Sequence, residues 1–240
     1  MLPALLLFLA SCVQKETEIT DTDRQFIGQM NEAVDSGTNF LGAYAIAKDL
    51  YDRGIRDPEV LFNLAFTADK VRPDPSFSIS LYRKCLARFE DEPAAFSDII
   101  LKVKTYFYLG YLYEKMRKPD KADDNMNSAF AQLDRLNKAS KLDDGVGFYL
   151  LAYCYARHKQ HELSLEFYQK ALDWFEQNRP DSYYLRGCFY NIGLYYYNAM
   201  DYKNAVVYWR QAWEKEPASG YFKEIYRKSY DLAREAQGLD

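Results

Sequence analysis

From about residue 25 onward, large apolar side chains recur at i, i+3 and i+7. That interval places them on one face of an α-helix. The clearest stretch carries Phe189, Ile192, Gly193 and Tyr196, followed by Ala205, Trp209, Ala212 and Pro217. The same order appears earlier as Phe148, Leu151, Ala152 and Tyr155, then Ser164, Tyr168 and Ala171. It appears again as Tyr106, Leu109, Gly110 and Tyr113, then Ala122, Met126 and Ala129. A fainter copy holds Leu61, Leu64, Ala65 and Ala68, then Ser78, Tyr82 and Cys85. The leading aromatics fall at 106, 148 and 189, so the period is 41–42 residues. Each copy predicts two helices, and in the three clear copies the turn between them falls at Lys118-Pro119-Asp120, at His158-Lys159-Gln160-His161 and at Ala199-Met200-Asp201. Pro217 stops the last second helix because it has no N–H to donate.

Two further features sharpen the pattern. Gly110, Ala152 and Gly193 on the first helices, with Ala122, Ser164 and Ala205 on the second, mark where paired backbones approach most closely. A Leu at such a position would overpack the contact. The residues after each second helix, 134–144 and 176–182, predict long second helices and long connections, with Asp143-Asp144-Gly145 and Asp181-Ser182 as helix starts. Upstream, Ile27, Met30 and Val34 followed by Ala43, Ala47 and Leu50 predict a divergent pair, turned at Gly37-Thr38 and ended by Arg56-Asp57-Pro58. Downstream, Tyr221, Ile225, Tyr226, Ser229 and Leu232 share one helix face, and Lys223, Arg227, Lys228 and Arg234 occupy the others. Stacked repeats need such a polar-backed end piece. The fold class expected is all-α: an α-solenoid of about five helix pairs plus a C-terminal capping helix.

These residues resemble the tetratricopeptide repeat (TPR), whose pattern is W-x₂-L-G-x₂-Y, then A-x₃-F, then P. The 189–217 copy fits best, with Phe189 at the usual Trp position and Trp209 at the usual Phe position. The resemblance covers most of residues 25–217. It implies that the first helix of each pair lines a concave groove that takes a protein or peptide partner. The positions pointing into that groove would be Phe107 and Tyr111, then Tyr149 and Tyr153, then Tyr190, Leu194 and Tyr197. Two readings of this aromatic stripe stand: it lines a binding groove, or it packs against neighbouring repeats. Lys104, Glu114, Lys115, Arg157 and Arg186 flank it with mixed sign. TPR domains that clamp a C-terminal carboxylate carry a set of Lys, Asn and Arg side chains there. Only Asn191 and scattered basic residues match, so that ligand is not carried over.

The N-terminus has a different character. Residues 1–11, MLPALLLFLAS, hold no charged side chain and precede Cys12. Eleven residues of helix span roughly half of a ~30 Å hydrocarbon core, too short to cross it and suited to a signal peptide. Leu9-Ala10-Ser11-Cys12 resembles the bacterial lipobox, which implies cleavage before Cys12 and lipidation of its sulfur and new α-amine. The expected organisation is a signal peptide over 1–11, a lipidated Cys12 with a polar tether over 12–21, and the solenoid over 22–240. Val13, not Asp, follows the Cys, which leans toward the outer membrane, on its periplasmic or surface face.

Composition narrows the function. The chain is 48% hydrophobic and 17% aromatic, which excludes disorder, and its net charge of −4 gives no basic excess for nucleic acid. No phosphate loop, dinucleotide fingerprint, zinc-protease or nucleophile-elbow motif is present. His158 and His161 fall in a turn without acidic or Cys companions and read as solvated. Cys85 reads as packing. Cys154 and Cys188 read as small buried hydrophobes, with a disulfide between them conceivable. No catalytic residue, metal ligand or cofactor is therefore expected. The sequence points to a membrane-anchored scaffold or adaptor for a protein partner in the bacterial cell envelope. Its layout is similar to TPR lipoproteins of outer-membrane barrel assembly and to type IV pilus pilotins. The alternatives are ligand delivery beside a transporter and a surface-exposed host-interaction lipoprotein.

Overall fold

A computed structural model describes residues 17–72, 74–89, 95–217 and 219–236. The signal peptide, Cys12 and residues 12–16 of the tether lie outside the described residues. Among those described there are eleven α-helices and no strands. They pair as α1 (Asp21–Ser36) with α2 (Phe40–Asp52), α3 (Pro58–Val71) with α4 (Pro75–Ala87), and α5 (Phe96–Lys115) with α6 (Pro119–Lys138). Two further pairs are α7 (Gly145–Arg157) with α8 (His161–Asn178) and α9 (Tyr183–Asn198) with α10 (Tyr202–Lys215). The last helix, α11 (Gly220–Ala236), packs on α10. Five pairs and a cap are what the repeat spacing predicts, and the second helices of the third and fourth pairs are long, at 20 and 18 residues.

The repeat is written into the backbone as well as the core. The turns between α5 and α6, α7 and α8, and α9 and α10 each place one residue in the left-handed region: Arg117, Lys159 and Met200, with φ of +56°, +58° and +60°. The next N–H in each turn then reaches back to the carbonyl of the repeat tyrosine. Lys118, Gln160 and Asp201 donate to Tyr113, Tyr155 and Tyr196 at 2.9 Å in every case. These bonds satisfy carbonyls that a helix end otherwise leaves open. At the opposite ends, Asp57, Asp144 and Ser182 cap α3, α7 and α9 through side-chain oxygens. His158 ends α7 and His161 opens α8, as a turn assignment requires.

The small-residue positions are close contacts. A Cβ on Gly110 would lie 2.8 Å from Met126 Cγ and 3.1 Å from the Ala122 carbonyl oxygen. A Cβ on Gly193 would run into the Trp209 indole, which is held in place by its Nε1–H donating to the Tyr190 carbonyl at 2.9 Å. Cys85, Cys154 and Cys188 are buried free thiols, so the second and third do not form a disulfide. Burial pushes the Cys85 thiol up to about 11 and Cys154 up to about 12.

The odd-numbered helices touch one another in succession, α1 on α3, α3 on α5, α5 on α7 and α7 on α9. The odd layer is therefore the inner side of a curved stack. The curve is tight enough that α1 also meets α9. There the corner between α1 and α2 docks on the start of α9. Both terminal nitrogens of Arg186 donate to the Ser36 carbonyl at 3.2 Å, and Arg179 pairs with Asp35 at 2.6 Å. The Tyr183 ring lies 6.0 Å from Phe40 and 6.3 Å from Phe66. Gly37, at φ +66°, makes this approach possible, since a Cβ there would strike Arg186 Nη2 and come within 3.1 Å of Tyr183.

Candidate functional site

Inside the curve, against the odd helices, lies a half-enclosed cavity of about 390 Å³. Its walls come from the end of α3 (Lys70), from α5 (Phe107, Tyr108, Tyr111), and from α7 (Tyr149, Tyr153). The rest comes from α9 (Tyr183, Arg186, Gly187, Tyr190, Asn191) and the α10–α11 junction (Glu216, Tyr221, Phe222). Five of the seven stripe residues expected from sequence meet here: Phe107, Tyr111, Tyr149, Tyr153 and Tyr190. The stripe is both wall and packing. Phe107 is 5% exposed and stands edge-on to Tyr153 at 4.9 Å, whereas the tyrosines are half-buried.

Leu194 and Tyr197 do not line the cavity. Trp209 accounts for Tyr197. Its indole covers Gly193, and Tyr197 lies against it at 5.2 Å and against Tyr202 at 5.5 Å. Leu194 is half-buried. The lining residues that the sequence did not place in the groove are Lys70, Tyr108, Tyr183, Gly187, Glu216, Tyr221 and Phe222. Gly187 has a clear role: a Cβ there would meet the Tyr149 ring at 2.9 Å.

The tyrosine hydroxyls are mostly spent on one another and on nearby polar groups. Tyr190 and Tyr221 share a hydrogen bond at 2.8 Å, and Tyr108 and Tyr184 share one at 3.2 Å. Asn191 Nδ2 donates to the Tyr149 hydroxyl at 3.2 Å and to the Gly187 carbonyl at 2.9 Å. Burial holds Tyr108, Tyr149 and Tyr190 above the ordinary phenol range, so these groups stay neutral. Three charged side chains line the space. Arg186 Nε lies 3.3 Å from Glu216, and Lys70 Nζ donates to the Tyr183 hydroxyl at 3.4 Å. The charges flanking the stripe are paired: Lys115 with Asp69 at 3.2 Å and Arg157 with Glu114 at 2.8 Å. Lys104 is not among the cavity-lining residues; it lies 4.6 Å over the Phe62 ring, and burial lowers its pKa from the usual lysine value.

Among the described residues no group of three His, Cys, Asp or Glu side chains could hold a metal ion. No described helix is long and apolar enough to cross a membrane. Arrays of neutral aromatic walls with few polar groups are built for binding by surface complementarity.

The repeat spacing, the paired helices and the inner aromatic face together define a tetratricopeptide-repeat fold. The thermophilic TPR protein TTC0263 of Thermus thermophilus superposes with a TM-score of 0.60 at 13% identity, over 87% of this chain and 98% of that one. The type IV pilus biogenesis factor PilW superposes with a TM-score of 0.55 at 12% identity, over 92% and 90%. Cut9, from the APC/C heterotetramer Cut9–Hcn1, gives 0.60 at 13%, over 90% of this chain and 41% of that one. At these identities the likeness is one of fold. No family model matches the sequence, and no curated protein does.

Proposed function

We propose that this protein is a lipid-anchored TPR scaffold of the bacterial cell envelope, which holds a protein partner through its inner aromatic cavity and acts by binding rather than catalysis. The observation that supports the reading is the cavity itself, a half-enclosed aromatic space on the face where TPR folds receive partners. Cys12, at the end of the apolar leader, supplies the anchor. Several acyl chains at ~0.8 kcal/mol per buried CH₂ hold such a protein at a membrane. The test is crosslinking and pull-down from native membranes. Cys12→Ala moves the protein to the soluble fraction. Replacing Tyr111, Tyr153 and Tyr190 together by Ala abolishes partner capture while circular dichroism stays helical. Retention of Cys12→Ala at the membrane would sink the anchor, and capture by the triple variant would sink the cavity.

A further inference from the structure

We infer that the cavity is a socket for one aromatic side chain with a carboxylate beside it, presented by an acidic segment of the partner. The inference rests on the protein-binding reading above and adds what the socket selects. Three observations carry it.

The first is shape. The α1–α2 corner closes across the lumen at the start of α9, through Arg186 on the Ser36 carbonyl and Arg179 on Asp35. An extended segment therefore cannot run the length of the inner face, and what remains is a recess of about 390 Å³. That is near the lower end of the ~300–1,000 Å³ span of small-ligand sites. The occupant is a single large group with its adjoining main chain. The second observation is the wall, of which nine lining residues are Phe or Tyr. Aromatic rings favour another ring in edge or offset contact.

The third is charge. Aromatic faces alone would also welcome a cation. The charged lining residues decide against one. Arg186 and Glu216 offset each other at 3.3 Å, and Lys70 remains, bonded to the Tyr183 hydroxyl at 3.4 Å with no carboxylate partner among the described residues. Lys70 is exposed on the rim and can turn toward an incoming anion. The socket thus carries one net positive charge and selects a carboxylate next to the ring.

The test uses three blocked dipeptides, acetyl-Asp-Trp-amide, acetyl-Asn-Trp-amide and acetyl-Lys-Trp-amide, titrated into the protein by ligand-observed NMR at low salt. The acidic probe binds most tightly and the basic one least, with steps of up to about fivefold for an exposed pair. The order flattens as salt screens the charge. Lys70→Glu, a change on the solvent-facing rim, inverts the order, and Lys70→Met flattens it. Equal binding of the three probes, an order unchanged in Lys70→Glu, or no binding of any probe would overturn the inference. Indole-3-acetate binding as tightly as the acidic dipeptide would overturn the peptide assignment in favour of a free aromatic acid. If the native partner is captured through the cavity yet Lys70→Glu captures it equally well, the charge selection fails while the scaffold reading stands.

Discussion

Gly193 shows how one missing side chain organises a repeat. Its hydrogen leaves room for the Trp209 indole, which in turn bonds the Tyr190 carbonyl and draws Tyr197 over itself. Gly193→Ala gains about 1 kcal/mol of helix propensity but forces a buried indole from its hydrogen bond. Overpacking of this kind costs about 1–3 kcal/mol, so the net change is a loss of about 1 kcal/mol, measurable by urea denaturation. An unchanged or increased stability would mean that the indole shifts freely. The same contact explains the limit of reading the stripe from spacing. Tyr190 and Tyr197 both follow the helical interval of the groove positions, but only Tyr190 reaches the cavity. Spacing assigns a side chain to a face, and the bulk of the neighbour across it decides what that side chain covers.

At the scale of elements, the helices are legible because every pair carries its own signals. Small residues lie at the crossing, and Asp or Ser at several first-turn caps. The first helix adds a device that the apolar pattern does not reveal. Thr20 and Asp23 cap α1 reciprocally, with the Asp23 backbone N–H donating to Thr20 Oγ1 at 3.2 Å and the Thr20 N–H to the Asp23 carboxylate at 3.0 Å. Arg53, just past α2, lies 2.7 Å from the same carboxylate, whose side chain is 2% exposed. The Thr20 hydroxyl and N–H, followed by Arg53, hold the Asp23 pKa down at about 2. A carboxyl depressed from ~3.9 in the unfolded chain stabilises the fold fully above that value and loses its effect as pH falls through the folded one. Asp23→Asn therefore lowers the thermal midpoint at pH 7, and the gap to the parent closes between about pH 4 and pH 2. A gap independent of pH would show that the charge plays no part in tying α1 to α2.

At the scale of the whole molecule, the order of the pairs can be read in advance and their closure cannot. The period fixes that each pair stacks on the next, but the degree of curl depends on contacts between residues some 150 positions apart, such as Arg186 and Ser36. No local pattern announces such a contact. For that reason Tyr183 and Lys70 are not among the expected groove residues, although both line the cavity. Ordinary solenoids draw their stability from neighbouring repeats only. Here the ends also lean on each other, so replacing Tyr183 and Arg186 together by Ala raises the radius of gyration in small-angle X-ray scattering while helicity is retained. An unchanged radius would assign the curl to the stacking of successive pairs alone.

That closing contact also sets a timetable. Asp35 waits for Arg179 across 144 residues of chain. At ~5–20 residues per second of synthesis, the first hairpin stands without its partner for roughly seven to thirty seconds. During that interval Phe40 and Phe66 lack the Tyr183 ring that will cover them, and the nascent protein presents an aromatic surface that the finished one hides.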